Sequence, residues 1–269
     1  MSLQTLFDLE PHGPDTFVGI GPRYPWGGLY GGQIVAQALR AAAMTTEPDQ
    51  HVHSLRAYFI RRGDHTEPIR FEVDRIRNGR SFSTRRVVAR QAIGAILNLE
   101  ASFQFPEDTE DLRPVPFDSN LPSPDDLSSD RWTKAFDRRW IPAEALRTHR
   151  DGAGRCAAWL RVTSELPPED QLLHRCWLAY LSDDLATDAV RAAHPRFAGT
   201  HRTTFTASLD HTIWYHRPMK ADEWHLHDFS SHGYVGARGL AIGHIFSMDG
   251  THVATVAQEV LMRALERQD

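Results

Sequence analysis

The stretch GGLYGGQIVAQALRAAAM occupies residues 27–44 and changes character in its middle. Its first six residues contain two glycine pairs, which are typical of a tight turn. From Gln33 to Met44 the side chains are mostly alanine and aliphatic, and this composition predicts a helix that is buried on most sides. We expect the first part of the chain to fold around this helix.

Four segments with strand character follow the helix and are separated by turn residues. The segments are 52–60, 69–75, 81–90 and 95–103, and the turns between them contain Gly63-Asp64, Asn78-Gly79 and Gly94. Strand-forming runs bounded by such residues predict an antiparallel sheet. The first block is therefore one buried helix followed by four strands.

A second block repeats this order. A strand at 156–163 precedes a helical segment from about Asp170, and strands follow near 204–215, 225–230, 237–247 and 251–262. At an offset of 154 residues, Ser54 falls on Ser208 and Gln104 falls on Gln258. The sequence therefore predicts a duplicated α+β architecture, in which each repeat wraps an antiparallel sheet around a helix and the two sheets continue into one another.

Prolines, aspartates and serines are concentrated between the two blocks. This composition predicts a linker at 106–154, which joins an N-terminal repeat at 1–105 to a C-terminal repeat at 155–269. Within the linker, Trp132 and Phe136 lie at helical spacing. They predict a short helix at about 129–139 whose apolar face docks on a domain.

The composition is that of an ordinary globular protein, with 269 residues of which 41% are hydrophobic and 24% charged. The net charge of -5 does not favour a nucleic-acid partner, because binding to phosphates needs a basic excess. No window approaches the roughly 18 apolar residues of a membrane span, and residues 1–10 lack the pattern of a secretory leader. The two cysteines are too few for a disulfide framework. We therefore expect a cytoplasmic protein.

Short motifs from both blocks, taken in order along the chain, resemble one known family. In the first block they are YGGQIVAQAL at 30–39, VHSL at 52–55, YFIRRGD at 58–64, NGRSFS at 78–83, RRV at 85–87 and ASFQ at 101–104. In the second block they are SD at 182–183, SLDH at 208–211, WYHRP at 214–218, EW at 223–224, ARG at 237–239 and VAQE at 256–259. The chain resembles the type II acyl-CoA thioesterases over nearly its whole length.

The resemblance implies a double hot-dog fold and hydrolysis of an acyl-CoA to a free fatty acid and CoA. It implies that an Asp, a Ser and a Gln hold and activate a water molecule, and by position these roles fall on Asp183, Ser208 and Gln258. It also points to a homodimer or a larger homo-oligomer, which would cover exposed sheet edges. We expect no cofactor and no metal, because the fifteen histidines do not occur at metal-binding spacings.

The residues around Asp183 leave two interpretations open. Trp177 and Tyr180 recur at helical spacing, and the same period places Asp183 or Asp184 on their apolar face. Burial there would raise the pKa of a carboxyl, which suits a general base. The alternative is a helix that ends at Ser182, with both aspartates in solvent or capping a next helix at 185–193.

Gln258 and Ser208 also have structural alternatives. Gln258 shares one strand face with small and aliphatic side chains, where a neutral amide can donate to a water molecule while accepting from another group. An ordinary buried amide satisfied by the backbone is the alternative. Ser208 lies among other polar residues, so its hydroxyl either holds the same water or is structural.

The duplication predicts one complete site per chain. The first repeat retains Ser54 and Gln104 at the matching positions, but its helix carries no Asp or Glu that could act as a base. We expect the site in the second repeat, walled by the first. An acidic residue beside Ser54 and Gln104 would contradict this expectation.

The glycine-rich turn matches neither a P-loop nor a dinucleotide-binding fingerprint. The amides of Gly31, Gly32 and Gln33 at the helix start could still bind a thioester oxygen or a CoA phosphate, because helix N-termini favour negative charge. Close backbone packing without a ligand is the alternative.

Four arginines could contact the phosphates of CoA: Arg77, Arg80, Arg85 and Arg86. The alternative is that they form a solvated charged surface.

The sequence thus predicts an acyl-CoA thioester hydrolase with acyl-CoA as its partner. A non-catalytic acyl-CoA or lipid-binding protein of the same fold is the alternative. An acyl-CoA hydratase on a related fold is a further rival, but the Asp and His motif expected of one does not occur here.

Overall fold

The computed structural model describes residues 5–146, 154–200 and 203–265, so residues 147–153 of the predicted linker lie outside the described part. Residues 5–105 of the first repeat form one α-helix and six strands: β1 (Glu10–Pro11), β2 (Thr16–Gly19), α1 (Gly31–Ala43), β3 (His51–Phe59), β4 (Ile69–Asn78), β5 (Phe82–Gln91) and β6 (Gly94–Gln104). The helix and the four strands predicted from residues 27–103 are all present, with ends that differ by up to three residues.

The described residues after the first repeat form two α-helices and seven strands: β7 (Phe136–Trp140), β8 (Arg155–Val162), α2 (Gln171–Ser182), α3 (Ala186–Ala193), β9 (Thr204–Ser208), β10 (Asp210–Tyr215), β11 (His225–Val235), β12 (Arg238–Ser247) and β13 (His252–Ala264). The segment predicted as one strand at 204–215 is divided at Leu209, because the Leu209 amide bonds to Glu259 while the Leu209 carbonyl accepts from Phe59. Within the described residues no helix is long and apolar enough to cross a membrane.

The strands form one antiparallel sheet in the order β1-β2-β4-β5-β6-β3-β10-β13-β12-β11-β8-β7, with β9 also paired to β13. The two repeats meet in the middle of this sheet, where β3 pairs with β10 and Leu55 lies opposite Ile213. The strand order on either side of this junction is mirrored. The predicted α+β architecture and the continuous sheet are therefore present in the structure.

Helices α1 and α2 lie against each other, and their buried residues belong to the main hydrophobic core. Their contact depends on Gly32, because a Cβ atom at that position would lie 2.3 Å from the Tyr180 carbonyl oxygen. The start of α1 therefore touches the end of α2. This contact brings one element of each repeat to the same place.

The predicted register between the repeats is wrong. In β6 the inward, buried residues have odd numbers, such as Leu99 and Ala101, whereas in β13 the inward residues, such as Val256 and Gln258, have even numbers. An even offset of 154 residues therefore superposes opposite faces of the two strands, because side chains alternate along a strand. Gln104 points away from the helices.

The environment of Ser54 and Gln104 bears on the expectation of one site per chain. An acidic residue, Glu107, does lie near Gln104, and it accepts a 3.3 Å hydrogen bond from the Gln104 amide on the exposed side of the sheet. Ser54 is half-buried and pairs with Ser102 in the sheet, while its neighbours Leu55 and Ala57 point into the core. Gln104 pairs with His51 and Ser54 pairs with Ser102, so the two residues do not form one cluster with Glu107, and a single site per chain stays a prediction.

The helix predicted at 129–139 is also wrong. Phe136–Trp140 is strand β7, which pairs with β8 and forms the edge of the sheet. The spacing of Trp132 and Phe136 is compatible with a helix, but pairing along the β8 backbone determines the local structure. Other apolar residues of the linker do dock on the outer face of the second repeat: Val115, Phe117, Leu121 and Leu127.

Candidate active site

Asp183 lies where the two repeats meet. It is the C-cap residue of α2, directly after Ser182, and only 9% of it is exposed. Its Oδ2 accepts a hydrogen bond of 2.9 Å from the Gly32 amide at the start of α1. The helix ends at Ser182, as in the alternative interpretation of the sequence, but Asp183 turns inward and does not face solvent.

Asp184, the adjacent carboxylate, has different partners. Its Oδ1 accepts from the Trp132 indole at 2.8 Å, and its Oδ2 forms a 2.7 Å ion pair with Arg138. Among the described residues, Asp183 by contrast is held by neutral donors. The fold therefore pairs one of two neighbouring aspartates with a cation and leaves the other without one.

Ser208 and Gln258 both reach the other oxygen of Asp183. The Ser208 hydroxyl donates to Oδ1 at 3.1 Å, and the Gln258 amide donates to the same atom at 2.9 Å. The Gln258 amide also donates to the Ser208 oxygen at 2.7 Å. The end of β9 and the middle of β13 thus place the three residues predicted from the sequence in mutual contact.

Burial decides the electrostatics of this cluster. It raises the pKa of Asp183 from 3.8 to about 6, against the opposing effect of the hydrogen bonds from Gln258, Ser208 and Gly32. The nearby charge of Asp184 adds a smaller increase in that pKa. A carboxylate with a pKa of about 6 is mostly ionised at neutral pH and is a stronger base than a solvated one.

A cavity of about 750 Å³ opens in front of Asp183. Its wall includes Ser208 and Gly31 together with aromatic side chains from both repeats and the linker: Trp26, Tyr30, Phe59, Trp132 and Phe205. Tyr30 packs edge-on against Trp132, with their ring centroids 5.1 Å apart. The carboxylate therefore lies in a largely apolar cleft, and part of the cleft wall comes from the linker.

The three amides predicted at the start of α1 have different surroundings. Gly31 lines the cavity, and a Cβ atom there would lie 2.6 Å from Asp183 Oδ2. The Gly32 amide already donates to Asp183, so that carboxylate is its partner in this structure. Gln33 is fully buried, and its side-chain oxygen accepts from the Tyr24 hydroxyl.

The four arginines considered as phosphate contacts are absent from the residues that line this cavity. Arg85 is buried and donates to Thr45 and Asn78, and Arg86 forms an ion pair with Asp74. The arginines that do line the cavity are Arg61 and Arg62. Both belong to the YFIRRGD motif, which was one of the motifs that carried the family resemblance. That motif could therefore have indicated Arg61 and Arg62 as candidate phosphate contacts.

Trp132 is a further residue of the cavity wall that was not predicted from the sequence, because nothing in the spacing of its segment indicates which surface that segment contacts. Among the described residues, no three His, Cys, Asp or Glu side chains are grouped so that they could hold a metal ion. The buried Asp183 carboxylate, with its raised pKa and the cavity beside it, can act as a general base.

Comparisons with known proteins show which family this chain resembles. The family model described as acyl-CoA thioesterase matches residues 132–261, and the model described as acyl-CoA thioesterase N-terminal domain matches residues 21–104. Acyl-CoA thioesterase 2 of Haemophilus influenzae is 35% identical, with 88% of each chain covered. Acyl-coenzyme A thioesterase 8 of Mus musculus is 32% identical, with 96% of this chain and 88% of the mouse protein covered.

Solved structures show the same relationship. The crystal structure of an acyl-CoA thioesterase II, TesB2, from Mycobacterium marinum has a TM-score of 0.87 and 33% sequence identity, with all of both chains covered. The tesB protein of Mycobacterium avium subs paratuberculosis has a TM-score of 0.80 and 33% identity, over 97% of this chain and 98% of that chain. The predicted double hot-dog fold is confirmed by these structures.

Proposed function

This chain belongs to the acyl-CoA thioesterase family and hydrolyses acyl-CoA thioesters, and we propose that Asp183 is the base that activates the attacking water. Asp183, Ser208 and Gln258 are the catalytic residues of this proposal. The observation that carries it is the buried Asp183 carboxylate, which faces a cavity and has only neutral hydrogen-bond donors among the described residues.

The proposed step uses the part of the carboxylate that remains available. A carboxylate offers about four lone-pair sites, and Oδ1 receives two donors while Oδ2 receives one. The remaining site is on Oδ2, beside Gly31 at the cavity wall. A water molecule bound there can transfer its proton to Asp183 as its oxygen attacks the thioester carbonyl.

The reaction then proceeds without a covalent acyl-enzyme. The tetrahedral intermediate carries its negative charge on the former carbonyl oxygen, and it collapses with cleavage of the carbon–sulfur bond. The CoA sulfur leaves as a thiolate and takes the proton from Asp183, while the hydroxyl group of the water remains on the acid. Ser208 and Gln258 act by holding Asp183 in place and by stabilising its ionised form.

The substrate orientation follows from the two kinds of cavity wall. The apolar wall of Trp26, Phe59 and Trp132 suits an acyl group, and the exposed Arg61 and Arg62 suit the phosphates of CoA. Gly31 lines the same cavity and lies beside Asp183 Oδ2. We infer that the Gly31 amide is the best placed of the three amides at the helix start to meet the thioester oxygen.

The division into repeats at 1–105 and 155–269 with a linker at 106–154 belongs to the same proposal. The linker then supplies Trp132 to the cavity and β7 to the edge of the sheet.

We further propose a cytoplasmic homodimer or larger homo-oligomer. The free thiols of Cys156 and Cys176 support a reducing compartment, and the terminal strands β1 and β7 offer edges for a second copy. Light scattering coupled to gel filtration tests the oligomer.

The first test measures release of the free CoA thiol from acyl-CoAs of short to long chain length. We expect release by the parent chain and a fall of at least about a hundredfold in Asp183→Asn, since the base is lost. Asp74→Asn is the matched control, because Asp74 is exposed, forms a surface ion pair with Arg86 and does not line the cavity. Saturable acyl-CoA binding without thiol release by the parent would instead support the non-catalytic alternative, and equal release by parent and Asp183→Asn would remove Asp183 from its role.

A further inference from the structure

His211 is a fully buried histidine that makes two hydrogen bonds behind the candidate active site. It lies on the inward face of β10 and has no exposed surface. Its Nδ1 is 2.5 Å from Gln258 Oε1, and its Nε2 is 2.8 Å from Ser182 Oγ. The second partner is the residue directly before Asp183.

The orientation of the Gln258 amide fixes the proton on the His211 ring. The Gln258 atom that faces Asp183 must be the nitrogen, because an ionised carboxylate only accepts hydrogen bonds. Gln258 Oε1 therefore faces His211, and an amide oxygen also only accepts. The proton must consequently be on Nδ1 of His211.

The state of the other ring nitrogen follows from burial. Burial lowers the pKa of His211 from 6.5 to about 4, so the ring is neutral at pH 7 and Nε2 carries a lone pair. The Ser182 hydroxyl must then donate to Nε2, although the Ala179 carbonyl lies 3.2 Å away as a competing acceptor. Ser182 thereby ties the end of α2 to β10.

These hydrogen bonds form a closed loop of contacts. The loop runs from Asp183 to Gln258, to His211 and to Ser182, and the peptide bond between Ser182 and Asp183 closes it. We propose that His211 is a positioning residue, which keeps the Gln258 amide turned so that its nitrogen and not its oxygen faces Asp183. This proposal rests on the proposed function of Asp183 as the base.

Loss of the Nδ1 donor has a defined consequence. The Gln258 amide is then free to turn over, and its oxygen next to Asp183 Oδ1 disfavours the ionised carboxylate. The neighbouring carboxylates already have partners, since Asp184 forms an ion pair with Arg138 and Asp210 accepts a hydrogen bond from the Glu259 amide. The change in the Asp183 pKa therefore reports the orientation of Gln258.

Two polar substitutions distinguish the roles of the two ring nitrogens of His211. In His211→Asn the amide nitrogen can occupy the position of Nδ1, and in His211→Gln the longer amide reaches the position of Nε2. We expect the Asn variant to keep the Asp183 pKa, and the Gln variant to raise it by about one pH unit. We also expect the Gln variant to lower kcat by about tenfold with an unchanged KM, because the substrate does not touch His211.

The test is an NMR titration that needs no turnover. Carboxyl ¹³C signals are followed in parent, Asn and Gln chains, with Asp183→Asn used to assign Asp183. The ¹⁵N signals of the parent His211 ring show which nitrogen carries the proton. The proposal is overturned if Nε2 carries it, or if the Asn and Gln variants both titrate Asp183 like the parent.

The two proposals fail in different ways. A parent chain that releases no thiol refutes the proposed function, while the NMR titration still decides the role of His211. A parent chain that does release thiol, together with an unchanged titration in His211→Gln, refutes the positioning role alone. If His211→Gln does not fold, the titration of Asp183 in His211→Asn and the ring ¹⁵N signals of the parent remain, and a proton on Nε2 overturns the proposal.

Discussion

Asp183 Oδ2 lies 2.9 Å from the Gly32 amide nitrogen, so the first helix of one repeat holds the carboxylate of the other. The partial positive charge at the start of α1 favours the ionised form of this carboxylate. The first repeat therefore contributes more than a wall to the candidate site. Neither repeat alone contains all of the groups that surround Asp183.

The first prediction concerns the pH dependence of thioester hydrolysis. Only ionised Asp183 can accept a proton, and burial raises its pKa to about 6. We expect kcat to be constant above about pH 7 and to fall about tenfold per unit well below pH 6. Thiol release measured from pH 4.5 to 8 tests this, with circular dichroism as the control for folding, and a rate that stays constant down to pH 5 contradicts it.

The second prediction concerns Ser208. Ser208→Ala removes one donor to Asp183 Oδ1 and one acceptor for the Gln258 amide. We expect kcat to fall by about tenfold, the rate factor of one hydrogen bond, whereas Ser208→Thr keeps the hydroxyl and most of the activity. Steady-state kinetics of both variants decide, and equal activity in the Ala and Thr variants would show that the hydroxyl is dispensable.

The third prediction concerns the space beside Asp183. A methyl group in Gly31→Ala would lie 2.6 Å from Asp183 Oδ2 and 3.0 Å from the Phe59 ring, so the carboxylate must move. We expect kcat to fall by about a hundredfold, as a displacement of about 1 Å at a reacting group can cost. Gly28→Ala is the comparison, because its methyl would lie 2.5 Å from the Arg62 guanidinium and displaces that side chain instead of Asp183, so we expect a higher KM for acyl-CoA with little change in kcat.

The sequence predicted those features that depend on local sequence pattern alone. The buried helix, the turns between strands and the position of Asp183 near an apolar helix face follow from local periodicity. The register between repeats did not, because the identity of Gln104 and Gln258 ignores the alternation of faces along β6 and β13. Parity of the buried positions would have rejected the offset of 154.

The remaining parts of the site depend on tertiary contacts. Trp132 reaches the cleft because β7 pairs with β8, and local spacing around Trp132 indicated a helix instead. The partner of the Gly32 amide depends on the approach of α1 to α2, which no pattern within either helix reveals. His211 is similar, since its role depends on the orientation of the Gln258 amide on a neighbouring strand.

The fourth prediction concerns stability and uses Asp183→Asn. The folded-state pKa of Asp183 is raised, so the folded chain binds more protons than the unfolded chain between about pH 4 and 6. The contribution of this group to the free energy of unfolding therefore decreases as pH rises through that window, by about 3 kcal/mol in total. We expect Asp183→Asn to gain about that much relative to the parent between pH 4 and 7.5, as measured by urea unfolding. A constant difference between the two chains would contradict the raised pKa.

The last prediction concerns acid stability and depends on His227. This side chain is fully buried, and neither of its ring nitrogens has a hydrogen-bond partner among the described residues. Burial lowers its pKa from 6.5 to about 3. Between these values the unfolded chain binds the proton and the folded chain does not, so the free energy of unfolding falls as pH decreases.

The expected slope from His227 is about 1.4 kcal/mol per pH unit, or about 2 kcal/mol between pH 6.5 and 5. His227→Leu removes this part of the slope, and urea unfolding at several pH values measures it. Phe229→Leu is the matched control, because Phe229 is equally buried on the same face of β11 but does not titrate. Its stability should be lower at every pH with the slope of the parent, whereas parallel curves for the parent and His227→Leu would show that His227 does not resist protonation.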